Sequence, residues 1–415
     1  MKVAVIGYGS RGQYYARLFQ EKKAEVVACC DINTEKLNIA GKVLNISADN
    51  LFESEDEFFA KGKLADLLIV STQDSDHYGH AIKAMNAGYD LLLEKPVATT
   101  IGQCVEIQKT AEKSGRKVFV CHVLRYAPFF TLIKKELNSG KYGKIVTINH
   151  TENVAYWHQA HSYVRGNWRR SEDSTPMIIA KCCHDLDLIV WFMGAKCKRV
   201  SSYGSLDFYT EKHAPEGSSA YCYDCRYVSD CPYSAERIYI KDRAMKGHLG
   251  WPCDTIIPEP TVEKLREALK RGPYGRCVYR CDNDVVDHQV VNMEFENGST
   301  AHLTMTAFGE HSRVVHYHCE KGEIFGEIDS NIIHCSIFGG EKYDINVKRF
   351  AAVFAGHGGG DSLMVDDVIN SMNGKPSFGL TAVSASMQSH IIGFKAEESR
   401  LNGGESIDLT DFNGK

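Results

Sequence analysis

The first dozen residues restrict the fold more than any other part of the chain. An apolar run, VAVI, leads directly into Gly7, Gly9 and Gly12 at G-x-G-x-x-G spacing, and a helical pattern opens at once behind them. The next apolar run, EVVACCD, ends in Asp31, nineteen residues after Gly12. Strand, glycine turn, helix, strand and acidic residue in this order are the context of a dinucleotide-binding unit. Gly7 permits the tight turn, Gly9 lets the backbone approach a pyrophosphate, and Gly12 allows close helix packing. Ser10 and Arg11 stand at the start of the helix, whose N-terminus binds phosphates. Asp31 accepts hydrogen bonds from ribose hydroxyls and repels a 2′-phosphate, so the expected cofactor is NAD rather than NADP.

The alternation continues through the first 123 residues. ADLLIVST (65–72) is a buried strand, HYGHAIKAMNAG (77–88) a helix closed by a glycine, YDLLLEKP a strand, GQCVEIQKTAEKSG a helix and KVFVCHVLR a strand. Short turns between such elements mean a doubly wound parallel sheet. Ligands bind these sheets at the carboxyl ends of the strands. Thr72, His77, Glu94 and Lys95 follow such ends and join the candidate cofactor-binding residues. Lys95 precedes Pro96, which biases it towards extended backbone.

The bulk properties narrow the classes. The chain has 415 residues, 43% hydrophobic and 24% charged, with a net charge of −5. The charge and a pI near 6.4 argue against nucleic-acid or anionic-membrane partners. No apolar run reaches the roughly 20 residues of a membrane span. MKVAVIGYG is too short for a signal peptide and reads as a strand beginning at Met1. Fifteen cysteines, an odd number, include the vicinal pairs Cys29-Cys30 and Cys182-Cys183 inside apolar runs. They read as small buried hydrophobes in a reducing cytoplasm.

Glu94-Lys95-Pro96, Arg125-Tyr126-x-Pro128, and His184-x-x-Asp187 followed by Trp191 and Gly194 join the glycine fingerprint. Together they give a chain that resembles, over nearly its whole length, the glucose–fructose oxidoreductase/inositol dehydrogenase (Gfo/Idh/MocA) family. The resemblance implies a Rossmann domain (1–123), then an α+β domain (124–415) with a large open sheet. It also implies a helix near residues 381–402 that packs back on the first domain, and a homodimer or homotetramer formed through the open sheet. It implies hydride transfer between a sugar or polyol carbon and the nicotinamide, with Lys95 polarising the reacting oxygen and His184 taking the proton. Many relatives place an aspartate four residues before the histidine. This chain has Ala180 there, followed by Lys181, which shares a helical face with His184 and is a third catalytic candidate. Asp187 either orients His184 or belongs to the helix surface.

Beyond residue 124 apolar and polar residues alternate, as in GKIVTINHTENV and DHQVVNMEFENGSTAHLTMTAF. This predicts a mostly antiparallel sheet. Arg125, Tyr126, Trp157, Trp168 and Arg169 are candidates for a sugar site, as aromatics stack on C–H faces. Asp284 and His288 in CDNDVVDHQ, and His357 and Asp361 in HGGGD, read as hydroxyl-binding clusters. An insertion at about 203–285 carries Cys222, Cys225 and Cys231 at C-x2-C-x5-C spacing, with Cys253 beyond. A structural zinc clasp, an iron–sulfur cluster and free or disulfide-bonded thiols all remain open for them. Three functions fit: an NAD-dependent dehydrogenase of a sugar, glycoside or cyclitol; a glycosidase that uses NAD transiently; and a non-catalytic NAD-binding sensor.

Overall fold

The computed structural model of the chain describes residues 1–350, 355–379 and 381–412. The first sheet comprises β1 (Lys2–Ile6), β2 (Glu25–Cys30), β3 (Leu51–Phe52), β4 (Leu67–Val70), β5 (Asp90–Leu93) and β6 (Val118–Val120). All pairings are parallel, in the order β3-β2-β1-β4-β5-β6. Val3, Val5, Leu67 and Ile69 pack into one helical layer, and Ala4, Ile6, Leu68 and Val70 into the other. Burial on both faces explains the uninterrupted apolar strands. The strand order reverses at β1 and β4, which opens a crevice at their carboxyl ends.

The second sheet comprises β7 (Ile145–Asn153), β8 (Cys197–Ser205), β9 (His288–Phe295), β10 (Thr300–Thr306), β11 (Ser312–Cys319), β12 (Gly322–Glu327), β13 (Ile332–Ile337), β14 (Lys342–Asn346) and β15 (Ile407–Asp408). Its order is β14-β13-β12-β11-β7-β10-β9-β8-β15, with β7 and β10 parallel and the other pairs antiparallel. The α/β class and the mostly antiparallel second sheet are as predicted. Ile148, Leu303 and Val315 face inward onto Phe130 and Ile133 of helix Pro128–Asn138, Leu186 and Ile189 of helix Cys183–Met193, and Ile392 and Ala396 of helix Val383–Leu401.

The chain returns to the first domain more fully than the sequence suggested. Helix Gly360–Met372 places Met364, Val365 and Val368 in the core beside Val3 and Val5. The segment before Val383–Leu401 extends the parallel sheet, with Val120 N donating to Thr381 O at 2.7 Å. Val383 and Met387 then enter the core beside Ala4 and Ile6.

Between β8 and β9 the insertion builds its own core from Tyr209, Cys222, Ile238, Tyr239, Cys253, Leu265, Leu269 and Tyr274. Among the described residues, no helix is long and apolar enough to cross a membrane.

Arg125, just past β6 at the junction where the second domain begins, and Asp187 of helix Cys183–Met193 make a buried two-point ion pair: Nε and a terminal nitrogen each donate to the carboxylate at 2.6 Å. Arg125 also donates to Ala385 O at 3.2 Å. Removing one partner of such a pair leaves an uncompensated buried charge. Arg125→Met should therefore cost about 3–5 kcal/mol, measured as a lower urea midpoint, and Arg125→Met/Asp187→Leu should recover much of it. An unchanged midpoint in the single variant would show that the pair does not hold the junction.

Candidate active site

The glycine turn after β1 has the shape a pyrophosphate needs. Gly7 has φ +88°, and a Cβ there would lie 2.6 Å from Ser71 O. A Cβ on Gly12 would lie 2.1 Å from Gly7 O. A Cβ on Gly9 would meet nothing within 4 Å, so its backbone faces open space. Helix Ser10–Glu21 starts at Gly9 with no side-chain cap, which suits its first N–H groups to an anion. Asp31 is fixed at the end of β2, where it accepts from Tyr8 N at 2.6 Å and Asn33 N at 2.8 Å. Thr72 lies at the same edge, its hydroxyl 3.1 Å from His80 Nδ1. These residues fit NAD: a cradle for the pyrophosphate and a positioned carboxylate for the ribose.

The Arg11 side chain does something the sequence did not announce. Its Nε donates to Glu94 at 2.7 Å, and a terminal nitrogen donates to Asp361 at 2.6 Å and to Tyr15 Oη. Glu94, thus neutralised, accepts from Lys95 N at 3.0 Å. Its carboxyl is held below the usual range by Arg11 and Lys95, against the opposing effect of burial. Asp361 in turn holds His357 Nδ1 at 2.9 Å. His77 Nδ1 lies 2.7 Å from Pro96 O and supports the segment from behind.

Lys95 crosses to the second domain and donates from Nζ to Ala180 O at 2.8 Å. The main-chain oxygen supplies an acceptor at the position where many relatives carry an aspartate. His184 is 5% exposed, with Nδ1 buried and without a hydrogen-bond partner. Burial first, then the charges of Lys95, His357, His122 and Arg313, push its pKa well below the ordinary histidine value. The rings of His357 and His122 stand 5.6 Å and 5.9 Å from that of His184. Lys181 makes an ion pair with Glu152 at 3.1 Å. Arg313 joins Glu152 at 2.9 Å and Asp185 at 2.8 Å, and Asp185 also meets His150 at 2.7 Å. Lys181 is therefore a fixed ammonium within a paired network.

The structure thus gathers Arg11, Glu94, Lys95, Lys181, His184, His357 and Asp361, and gives other predicted residues framework work. Asp187 is taken up by Arg125. Tyr126 donates to buried Asp367 at 2.7 Å. Trp168 Nε1 donates to Asp74, which also accepts from Ser174 and Thr175, so the indole clamps a loop onto the first domain. Arg169 pairs with Asp282, and Asp284 accepts from Ser171 N at 2.7 Å. His288 lies on the outer side of β9 and pairs with Asp287 at 2.7 Å. Glu152 and His150, which belong to the site's network, are on the inner side of β7. Asp284 thus braces a loop, and His288 stands on the face of the sheet opposite to Glu152 and His150.

The insertion reaches the cofactor turn. Ser10 Oγ donates to Asp254 at 3.3 Å, from a short helix, Cys253–Ile256, that follows Trp251 and Pro252. Trp157 stacks on His158 and lies 5.4 Å from Trp251, and the Arg243 guanidinium sits 3.9 Å over the Trp157 ring. His158 is half-buried, its Nδ1 shielded from solvent and without a hydrogen-bond partner among the described residues, and desolvation and Lys181 lower its pKa well below the ordinary value. Its sequence signal was adjacency to Trp157. Glu152 was findable as a carboxylate at an inward position of an alternating strand. His122, Asp185 and Arg313 carried no usable signal.

The zinc clasp is not drawn up. Among the described residues no three cysteine sulfurs lie within 4.8 Å of one another. Cys222 accepts from Arg165 at 3.6 Å, and Cys253 donates to Tyr239 O at 3.6 Å. The expectation assumed an insertion with little core, but this one has an apolar core in which Cys222 and Cys253 are buried.

The family profile described as "Oxidoreductase family, NAD-binding Rossmann fold" matches residues 1–122, and its C-terminal alpha/beta partner matches 134–393. The oxidoreductase YteT of Bacillus subtilis is 25% identical over 335 residues, which is 76% of this chain and 75% of YteT. Inositol 2-dehydrogenase of Salmonella typhimurium is 25% identical over 207 residues, 49% of this chain and 57% of that protein. The structure of WlbA dehydrogenase from Bordetella pertussis, in complex with NADH and UDP-GlcNAcA, is 18% identical. It has a TM-score of 0.70 and covers 99% of this chain and 97% of its own. With both profiles matched along most of the sequence and the two-sheet architecture in place, the chain belongs to the Gfo/Idh/MocA family of NAD-binding oxidoreductases.

Proposed function

We propose that this protein oxidises a hydroxyl of a sugar, glycoside or cyclitol. The observation that carries the reading is the pairing of Lys95, an ammonium anchored on Ala180 O, with His184, a buried imidazole held neutral beside it. Bound NAD supplies the hydride acceptor. In the reaction the substrate carbon loses a hydride and its hydroxyl loses a proton, leaving a ketone. His184 is the general base for that proton, since its lowered pKa keeps it unprotonated at neutral pH. Lys95 stabilises the alkoxide character of the oxygen. Arg11 and Glu94 hold Lys95 in place, and the exposed Trp251, beside Trp157, offers an apolar face to a ring. Inositol, on which one relative acts, and UDP-GlcNAcA, bound in the structure of another, belong to the same hydroxyl-rich class.

A second reading, transient oxidation followed by elimination of an aglycone, needs a further base besides His184. His158, neutral and beside Lys181, supplies a candidate. The purified protein with NAD and a panel of free sugars, cyclitols and chromogenic glycosides separates the readings. NADH accumulating without aglycone release supports the dehydrogenase. NAD-dependent aglycone release without net NADH supports the glycosidase. Failure of both, with NAD still bound, returns the sensor.

Lys95→Ala and His184→Ala should each bind NAD within about threefold of wild type and lose about 10²–10⁴-fold in turnover, by stopped assay against the responding substrate. Full activity in both variants would refute the assignment. The acid limb of kcat/KM should lie below pH 6.5, and the Lys95→Met substitution should move the His184 titration upward when followed by NMR, because a nearby positive charge is gone.

Acid should also unfold the protein. His122, His158, His184 and His357 all have lowered values, and His390 is down to about 4. Between the folded values and the unfolded one near 6.5, the unfolded chain binds more protons, so stability rises with pH there. It should be complete above about pH 6.5 and fall steadily below it. A urea midpoint unchanged between pH 7 and pH 5 would contradict this.

A further inference from the structure

The outer face of the second sheet carries a donor set that the proposed reaction does not use. His316 and His318 are two residues apart on β11, so both project from the same face of the sheet. β12 runs antiparallel and sets Glu323 opposite His318. The inward neighbours Val315, Tyr317 and Ile324 are fully buried, while the three outer side chains are 29%, 36% and 41% exposed. The two rings have centroids 3.8 Å apart. Glu323 Oε2 lies 2.9 Å from His316 Nε2 and 3.9 Å from His318 Nδ1. One ligand atom from each residue lies within 4.8 Å of the other two, and among the described residues no other His, Cys, Asp or Glu group of three does this.

We propose that His316, His318 and Glu323 bind a divalent first-row transition ion, zinc foremost, on the outer face of the nine-stranded sheet. Two imidazoles and a carboxylate are a borderline nitrogen and oxygen set that suits zinc, whereas calcium and magnesium favour all-oxygen sites. A simple ion pair accounts for less: Glu323 meets the needs of one imidazole, and a second protonated ring so close would be repelled. Asn149, from β7, lies 3.3 Å from His318 Nε2. With its amide turned, its oxygen accepts that N–H, the partner that typically orients a metal-bound imidazole. Tetrahedral zinc with bonds of about 2.1 Å brings its ligands to roughly 3.4 Å apart, a closure that side-chain rotation on two paired strands can make. The fourth position points away from the sheet.

Cobalt(II) tests this on the full-length protein after chelator treatment. The expected result is one equivalent bound with visible d–d absorption and no near-ultraviolet thiolate band. His318→Ala and Glu323→Gln should each weaken binding at least tenfold, with metal-free unfolding curves and NAD binding unchanged. Zinc should raise the thermal midpoint of the wild type and not of His316→Ala/His318→Ala. A thiolate band that survives these substitutions would place the ion on the cysteines of the insertion and overturn the proposal. Equal cobalt affinity in wild type and the double variant would overturn it too.

Discussion

One guanidinium holds the catalytic half of this molecule together. Arg11 sits in the first turn of the helix behind the glycine loop, and its side chain joins Glu94 at the end of β5 to Asp361 on a helix from the far end of the chain. From Glu94 the constraint passes to Lys95, and from Asp361 to His357 and the imidazole cluster around His184. A buried carboxylate is costly unless paired, and Arg11 pairs two. The turn that suits the pyrophosphate, Lys95 and the histidines around His184 are thereby parts of one electrostatic unit.

The first domain was legible because its signals are local. Glycines at fixed spacing, apolar runs buried on both faces and Lys95 before a proline each have one physical reading, and the parallel sheet follows from their alternation. The site was legible only where a motif named it. The glycine turn singled out His357 and Asp361, but not the buried pairing of Asp361 with Arg11, 350 residues away. An acidic loop entering a strand looks the same whichever face the strand turns inward, so the outward placement of His288 could not be read from the sequence. The Lys95 acceptor could not be read at all: it is the main-chain oxygen of Ala180, and no side chain reports it.

The insertion changes what the family architecture presents to a ligand. It has its own apolar core, and it reaches the crevice through the short helix that carries Asp254. Its Asp254 meets Ser10 at the start of the phosphate-binding helix. Burial raises the pKa of that carboxyl, which Ser10 partly offsets.

The double return of the chain bears on how such a protein can be built by recombination. The dinucleotide-binding sequence ends near residue 122, yet one face of its sheet is completed by Met364, Val365 and Val368 and the other by Val383 and Met387. A gene fragment cut at the sequence boundary carries the cofactor fingerprint but leaves apolar surface bare on both sides of the sheet. Exchange of cofactor modules between relatives therefore has to move two distant pieces of sequence together, and the substrate-binding sheet travels as the segment enclosed between them.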